Sequence, residues 1–196
     1  MLTLDFAYHN PIVMRISPSL KVKGIHILTD YRPRSIQDQK LLDEFEKYMK
    51  DGKAAIFRPK VEHLIVGKQK LYNLTTTVGR EFLAQILCNT FAGTNPYVTH
   101  FGIGSDNTAA NVADTVLGTE VFRKEISSAL DSNNIANIST FIGADEANFT
   151  WEEWGHFIDG TASADSGVML SHLIQNVAKS APDTKTVDST YTFADA

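Results

Sequence analysis

Asn148-Phe-Thr-Trp-Glu-Glu-Trp-Gly-His-Phe-Ile158 reads as a β-strand. It is rich in aromatic residues, and side chains on an extended chain alternate between two faces. Phe149 and Trp151 fall on one face, and Trp154, His156 and Ile158 on the other, so both carry large apolar area. A strand apolar on both sides needs cover on both sides, and in a small domain one cover is expected to be another subunit. Trp151, Trp154, Phe149 and Phe157 are therefore the candidate interface anchors of this half of the chain.

Runs of the same kind lie at Tyr97–Ile103, Thr119–Leu130, Ile135–Gly143, Val168–Ala178 and Lys185–Phe193, separated by Gly, Asn, Asp and Ser. That spacing predicts an antiparallel sandwich. Asp131-Ser-Asn-Asn134 reads as a hairpin turn, and Asp159–Gly167 as a longer, mobile one. In the last run Val187, Ser189, Tyr191 and Phe193 share a face, so the chain is expected to end as a half-buried strand.

Towards the N-terminus the pattern changes. Pro11 and Pro18 break the first residues into extended pieces, with Leu20–Leu28 a short strand candidate. Ser35 is placed to cap a helix whose apolar positions Ile36, Leu41, Leu42, Phe45, Tyr48 and Met49 recur at helical spacing until Asp51-Gly52. Val61–Val66 reads as a strand. A second helix is predicted from Thr75 or Thr76, with the stripe Val78, Phe82, Leu83, Ile86, Leu87 and Phe91 and with Gly93 as its C-terminal cap. The expected fold class is mainly β: a jelly-roll-like antiparallel β-sandwich whose N-terminal part carries two α-helices. Residues 1–69 are expected to form a docking arm, and residues 70–196 a helix plus the sandwich.

Charge divides the chain at Pro96. Residues 1–96 hold 14 basic and 9 acidic side chains, and residues 97–196 hold 4 and 14. The front half is expected to face an acidic partner, with Arg32 and Arg34 as its candidate interface residues. The basic residues are spread among acids without a dense run, so nucleic acid is not the expected partner. No apolar stretch is long enough for a membrane span, and a soluble chain made in the cytosol is expected. Cys88 sits in an apolar helical pattern and reads as a buried thiol.

No arrangement typical of catalysis emerges. Phosphate-binding loops, nucleophile elbows and zinc helices are missing, and Phe101-Gly-Ile-Gly-Ser-Asp106 lacks the third glycine of a dinucleotide loop. His9, His26, His63, His100, His156 and His172 each stand alone. Glu152 and Glu153 are adjacent on a strand and cannot flank one bond. Asp106 and Asp114 bracket a polar loop without the oxygen spacing of a calcium site. No catalytic residue, cofactor or metal is assigned, and the chain is not expected to be an enzyme.

Several segments in fixed order resemble a known kind of domain. They are Asn73-Leu-Thr-Thr-Thr-Val-Gly-Arg-Glu-Phe-Leu-Ala84, Gly102-Ile-Gly-Ser105, Asp114-Thr-Val-Leu-Gly-Thr-Glu-Val-Phe-Arg-Lys124, Glu146–Phe157 and the closing Thr-rich strand. Together they resemble the β-domain of tailed-bacteriophage virion proteins labelled tail fibre or minor structural proteins, over residues 70–193. The resemblance implies a virion location, a homo-oligomer expected to be a trimer, and other virion proteins of the tail, neck or capsid as partners. A tail or neck accessory is the first expectation and a capsid decoration protein the second. Host-glycan binding through Trp151, Trp154 and the Asp159–Gly167 loop comes below both. Independently of the name, Gly102 and Gly104 are expected to let the chain leave its strand, Asp114 and Thr115 to fix the loop that follows, and Leu117 and Val121 to re-enter the core.

Overall fold

In the computed structural model, residues 21–194 are described; the extended pieces around Pro11 and Pro18, and His9, lie outside them. The C-terminal strand and the first described strand hold each other. β1 (Lys21–Tyr31) and β10 (Thr184–Ala194) pair antiparallel from Lys21 opposite Ala194 to Tyr31 opposite Thr184. β2 (Ile65–Tyr72) extends the sheet beyond β1, and β7 (Ile135–Ile142) and β6 (Ser128–Ser132) extend it beyond β10, giving the order β2-β1-β10-β7-β6. The second sheet is ordered β3-β9-β8-β4-β5, from β3 (Leu74–Thr75), β9 (Val168–Ala178), β8 (Thr150–Ile158), β4 (Val98–Gly104) and β5 (Glu120–Glu125).

Two antiparallel sheets of five strands each thus make the mainly β, sandwich-like architecture that the alternating runs predict. Their inner faces meet in a core where Leu28, Ile142 and Val187 of the first sheet pack with Phe101, Ile103, Trp151, Trp154 and Leu173 of the second. Trp151 and Trp154 do not lie on opposite sides, as strict alternation requires. The β8–β9 register shifts between Trp151 and Glu153, and both rings enter this one core with centroids 6.0 Å apart at 82°.

Three helices cover the sheets. Ser35 Oγ accepts the backbone N–H of Asp38 at the start of α1 (Ile36–Lys50), and Gly52, at φ 69°, turns the chain after it. α2 (Ala54–Val61) forms where the sequence reading places no element, and a 3-10 turn at Glu62–Leu64 takes the first part of the expected Val61–Val66 strand, so that β2 begins only at Ile65. Leu42, Phe45 and Met49 of α1 and Phe57 and Val61 of α2 bury Tyr31 of β1 and Phe141 of β7 on the outer side of the first sheet. The β1 segment of the supposed arm therefore lies inside a sheet and its helices form an outer layer, so residues 21–69 belong to the body of the molecule. Front-half cations also meet back-half acids directly, as in Arg58–Asp188 at 3.0 Å and Arg32–Asp183 at 2.8 Å.

α3 (Thr77–Leu87) closes one end of the sandwich, its N-terminus capped by Thr76. Gly79 is needed there, because a Cβ would lie 2.9 Å from Leu170 Cα. The helix stops well before Gly93: Asn89 takes the left-handed conformation at φ 52°, leaving Leu87 exposed. Cys88 caps this end and is exposed, not buried as its pattern implies.

Candidate functional site

The outer face of the second sheet carries a connected polar construction around Glu153 and His172. Gly102 of β4 pairs with Gly155 of β8, so two adjacent positions carry no side chain. Into this shallow bed the loop 105–119 drops Leu117, which is buried against Phe157 and Met169. A Cβ on Gly102 would meet Phe157 at 2.8 Å, and one on Gly104 would meet Glu153 Oε1 at 2.3 Å. Gly102 sits within the strand and serves close approach, while Gly104 is the last residue of β4, where the register with β5 shifts. Val121, expected to return to the core with Leu117, is exposed. Both faces of the Asn148–Ile158 stretch are thus covered within one chain.

Glu153 projects beneath the loop with only 1% of its surface exposed. Its carboxylate accepts the backbone N–H groups of Gly118 at 2.9 Å and Thr119 at 2.7 Å, with Asp106 N–H at 3.4 Å. His172 of β9 lies next to it, with Nε2 3.0 Å from Glu153 Oε2 and Nδ1 2.8 Å from Asp114 Oδ2. Both contacts are hydrogen bonds only when both ring nitrogens carry protons, so the imidazolium is the form this geometry favours. Burial lowers the His172 pKa, but the hydrogen bonds and charges of Glu153 and Asp114 outweigh it and hold the pKa above its ordinary 6.5. Burial likewise raises the Glu153 carboxyl, and His172 together with the backbone donors reverses this to a value below the ordinary range.

The cavity of about 420 Å³ beside this clasp is lined by Asp106, Asp114, Thr115, Glu153 and His172 among others. Asp106 Oδ1 is taken by the backbone N–H and hydroxyl of Thr108, both at 2.8 Å, and Asp114 also accepts the N–H of Asn111. The carboxylates point at loop donors and at the imidazole, not at a common point. Among the described residues no group of three His, Cys, Asp or Glu side chains is arranged to hold a metal ion. What this arrangement does chemically is to fix a loop. The sequence signals Asp114 as a loop anchor; it shows Glu153 only beside Glu152 and His172 only as a lone histidine, because three segments far apart in the chain converge on them.

A second polar group spans the core. His26 of β1 stacks on His156 of β8 with centroids 5.5 Å apart. Ser189 Oγ lies 2.6 Å from His26 Nδ1, and the Tyr191 hydroxyl lies 2.9 Å from His156 Nδ1 and 2.7 Å from Ser171 Oγ. Burial pushes His26 down to about 4 and His156 well below 6.5, so both rings are neutral.

The interface candidates separate by burial. Trp151, Trp154 and Phe157 have no exposed surface at all, so they are core residues; as surface anchors they are replaced by what lies outside. Phe149 is half-buried against that core. Arg32 and Arg34 are exposed, and Arg32 makes two 2.8 Å hydrogen bonds to Asp183. Glu152 and Glu153 end on different partners, Glu152 on Asn176 at 2.7 Å. The Asp159–Gly167 loop is tied at both ends. Asp159 accepts the N–H groups of Thr94 and Asn95, and Arg123, paired with Glu120 at 2.5 Å, donates to Ser166 O at 2.8 Å.

Apolar surface gathers elsewhere. Between α3 and the β6–β7 hairpin a groove of about 330 Å³ is lined by Phe82, Leu83, Tyr97, Leu130, Ile138 and Phe193 among others, with Tyr97 and Leu130 more than half exposed. No family model, no curated protein and no solved structure matches the chain.

Proposed function

We propose that the chain is a non-catalytic structural component of a bacteriophage virion, a tail or neck accessory that assembles with copies of itself, as a trimer, and with neighbouring virion proteins. The observation that carries the reading is the apolar groove with Tyr97 and Leu130 at its rim, on a sandwich where the Glu153–His172 site fixes a loop. Contiguous exposed apolar surface of this kind is characteristic of protein contacts. The ordered motifs from Asn73 to the closing strand add the resemblance to virion β-domains.

With α1 and α2 in an outer layer and β1 inside a sheet, the reading assigns attachment to exposed surface such as Arg32 and Arg34. The test is quantitative mass spectrometry of purified particles of the phage that encodes the chain, with sedimentation of the isolated protein. Low copy number relative to the major capsid protein, and a trimer in solution, are expected. Copy number near that of the capsid protein would replace tail or neck with shell decoration. Absence from the particle would end the proposal.

A further inference from the structure

From Phe82 to Thr99 no side chain carries a charge, in a chain of which 21% of the residues are charged. This stretch builds two things side by side. Phe82 and Leu83 at its start, and Pro96, Tyr97 and Val98 near its end, line the apolar groove. Between them the second half of α3 stands clear of the body: every residue from Ala84 to Thr90 is exposed, Leu87 by 88%. A helix lying on a core buries one stripe and shows the other, but here a whole turn is bare. Leu87 follows Leu83 by four residues and shares its helix face, so one lines the groove and the other stands one turn further out. No basic residue occupies the last turn, where a cation would complement the helix dipole. The groove is matched in chemistry, since Asp131 is the one charged residue among those that line it.

We propose that the bare turn of α3, with Leu87 at its tip and Ile86 beside it, seats in the apolar groove of a second copy of this chain. A projection and a recess of the same uncharged character, built from one segment, are the two halves of a contact between identical chains. Seating removes from water the most exposed large apolar side chain among the described residues, together with Tyr97 and Leu130 of the receiving rim. The inference rests on the reading that copies assemble, and it names the element that each copy contributes to the groove of the other. Passed from each copy to the next, the contact is heterologous and closes as a ring, the form a trimer requires; exchanged between two copies, it gives a dimer.

Cys88, the chain's one cysteine, is exposed directly beside the tip, and Ala129 lines the groove from an exposed position on β6. Mild oxidation of full-length Ala129→Cys should therefore join copies through Cys88 and the introduced thiol, seen on a denaturing gel without reductant and mapped by mass spectrometry of the linked peptides. The wild type should remain single chains on the same gel. Leu87→Asp changes a side chain that is almost wholly exposed, so circular dichroism should be unaltered, while self-association in sedimentation should weaken at least about tenfold. Association unchanged by Leu87→Asp would overturn the proposal, as would a wild type that cross-links through Cys88 alone or stays monomeric at every concentration. Linked dimers from Ala129→Cys, in place of linked trimers, would keep the contact and refute the trimer.

Discussion

His156 and His172 sit on neighbouring strands of one sheet and are treated in opposite ways. Ser171 pairs with His156 and turns inward to Tyr191, so the next residue, His172, turns outward beneath the loop. Inside, burial acts with no carboxylate at hand, and His26 and His156 are kept neutral in a stack. Outside, two carboxylates meet one ring, and the proton stays. Equal residue types and comparable burial give opposite charge states because the partners differ. The inner pair joins two sheets, while the outer clasp fastens a loop to one.

The largest way to break this contrast is to neutralise the outer clasp at its buried centre. Glu153→Gln keeps the shape but removes the charge that His172 and the loop N–H groups share. Stripping one partner from a buried ion pair costs about 3 kcal/mol or more. Urea unfolding at neutral pH should show a loss of that order, and a loss under about 1 kcal/mol would mean that the clasp is not an ion pair.

Acid attacks the inner site next. Its histidines have folded pKa values below 6.5, so the unfolded chain binds more protons and stability falls as pH drops below 6.5. With His26 at about 4, its share between pH 7 and pH 5 is about 2 kcal/mol. His26→Asn should flatten that limb of a stability-against-pH curve; an unchanged limb would contradict a neutral His26.

The outer site has the other sign. The raised pKa of His172 gives stability that is complete below 6.5 and is lost as pH rises through the folded value. The wild type should therefore lose stability on the alkaline side, and His172→Gln should remove that slope while leaving the acid limb alone. An alkaline slope that survives the substitution would assign it to another group.

The legibility of the two sites in the sequence differs for the same reason. Strands carry their signature locally, so the runs at 97–103, 135–143, 168–178 and 185–193 correspond to β4, β7, β9 and β10 within a residue or two. α1 shows its cap and stripe and lies where they place it. What local pattern does not encode is which strand meets which. β1 falls next to β10, more than 150 residues away, and this one pairing turns a supposed arm into part of a sheet. The register shift at Trp151 likewise needs β9 as its partner. His172 sees Asp114 and Glu153 across separations of 58 and 19 residues, which no motif spacing records.

The smallest effect separates the two halves of the clasp. Asp114 is 29% exposed at its side chain and has Asn111 N–H as a second partner, while Glu153 is closed from water and holds the loop's return at Gly118 and Thr119. Water can replace much of what Asp114 gives, so Asp114→Asn should cost about 1 kcal/mol or less. It should nonetheless lower the His172 pKa towards 6.5, readable by NMR titration of the ring, because one of two carboxylates has gone. A Glu153→Gln protein titrated in the same way should show the larger drop. If the Asp114 variant showed it instead, the exposed carboxylate, and not the buried one, would be what keeps the outer histidine charged.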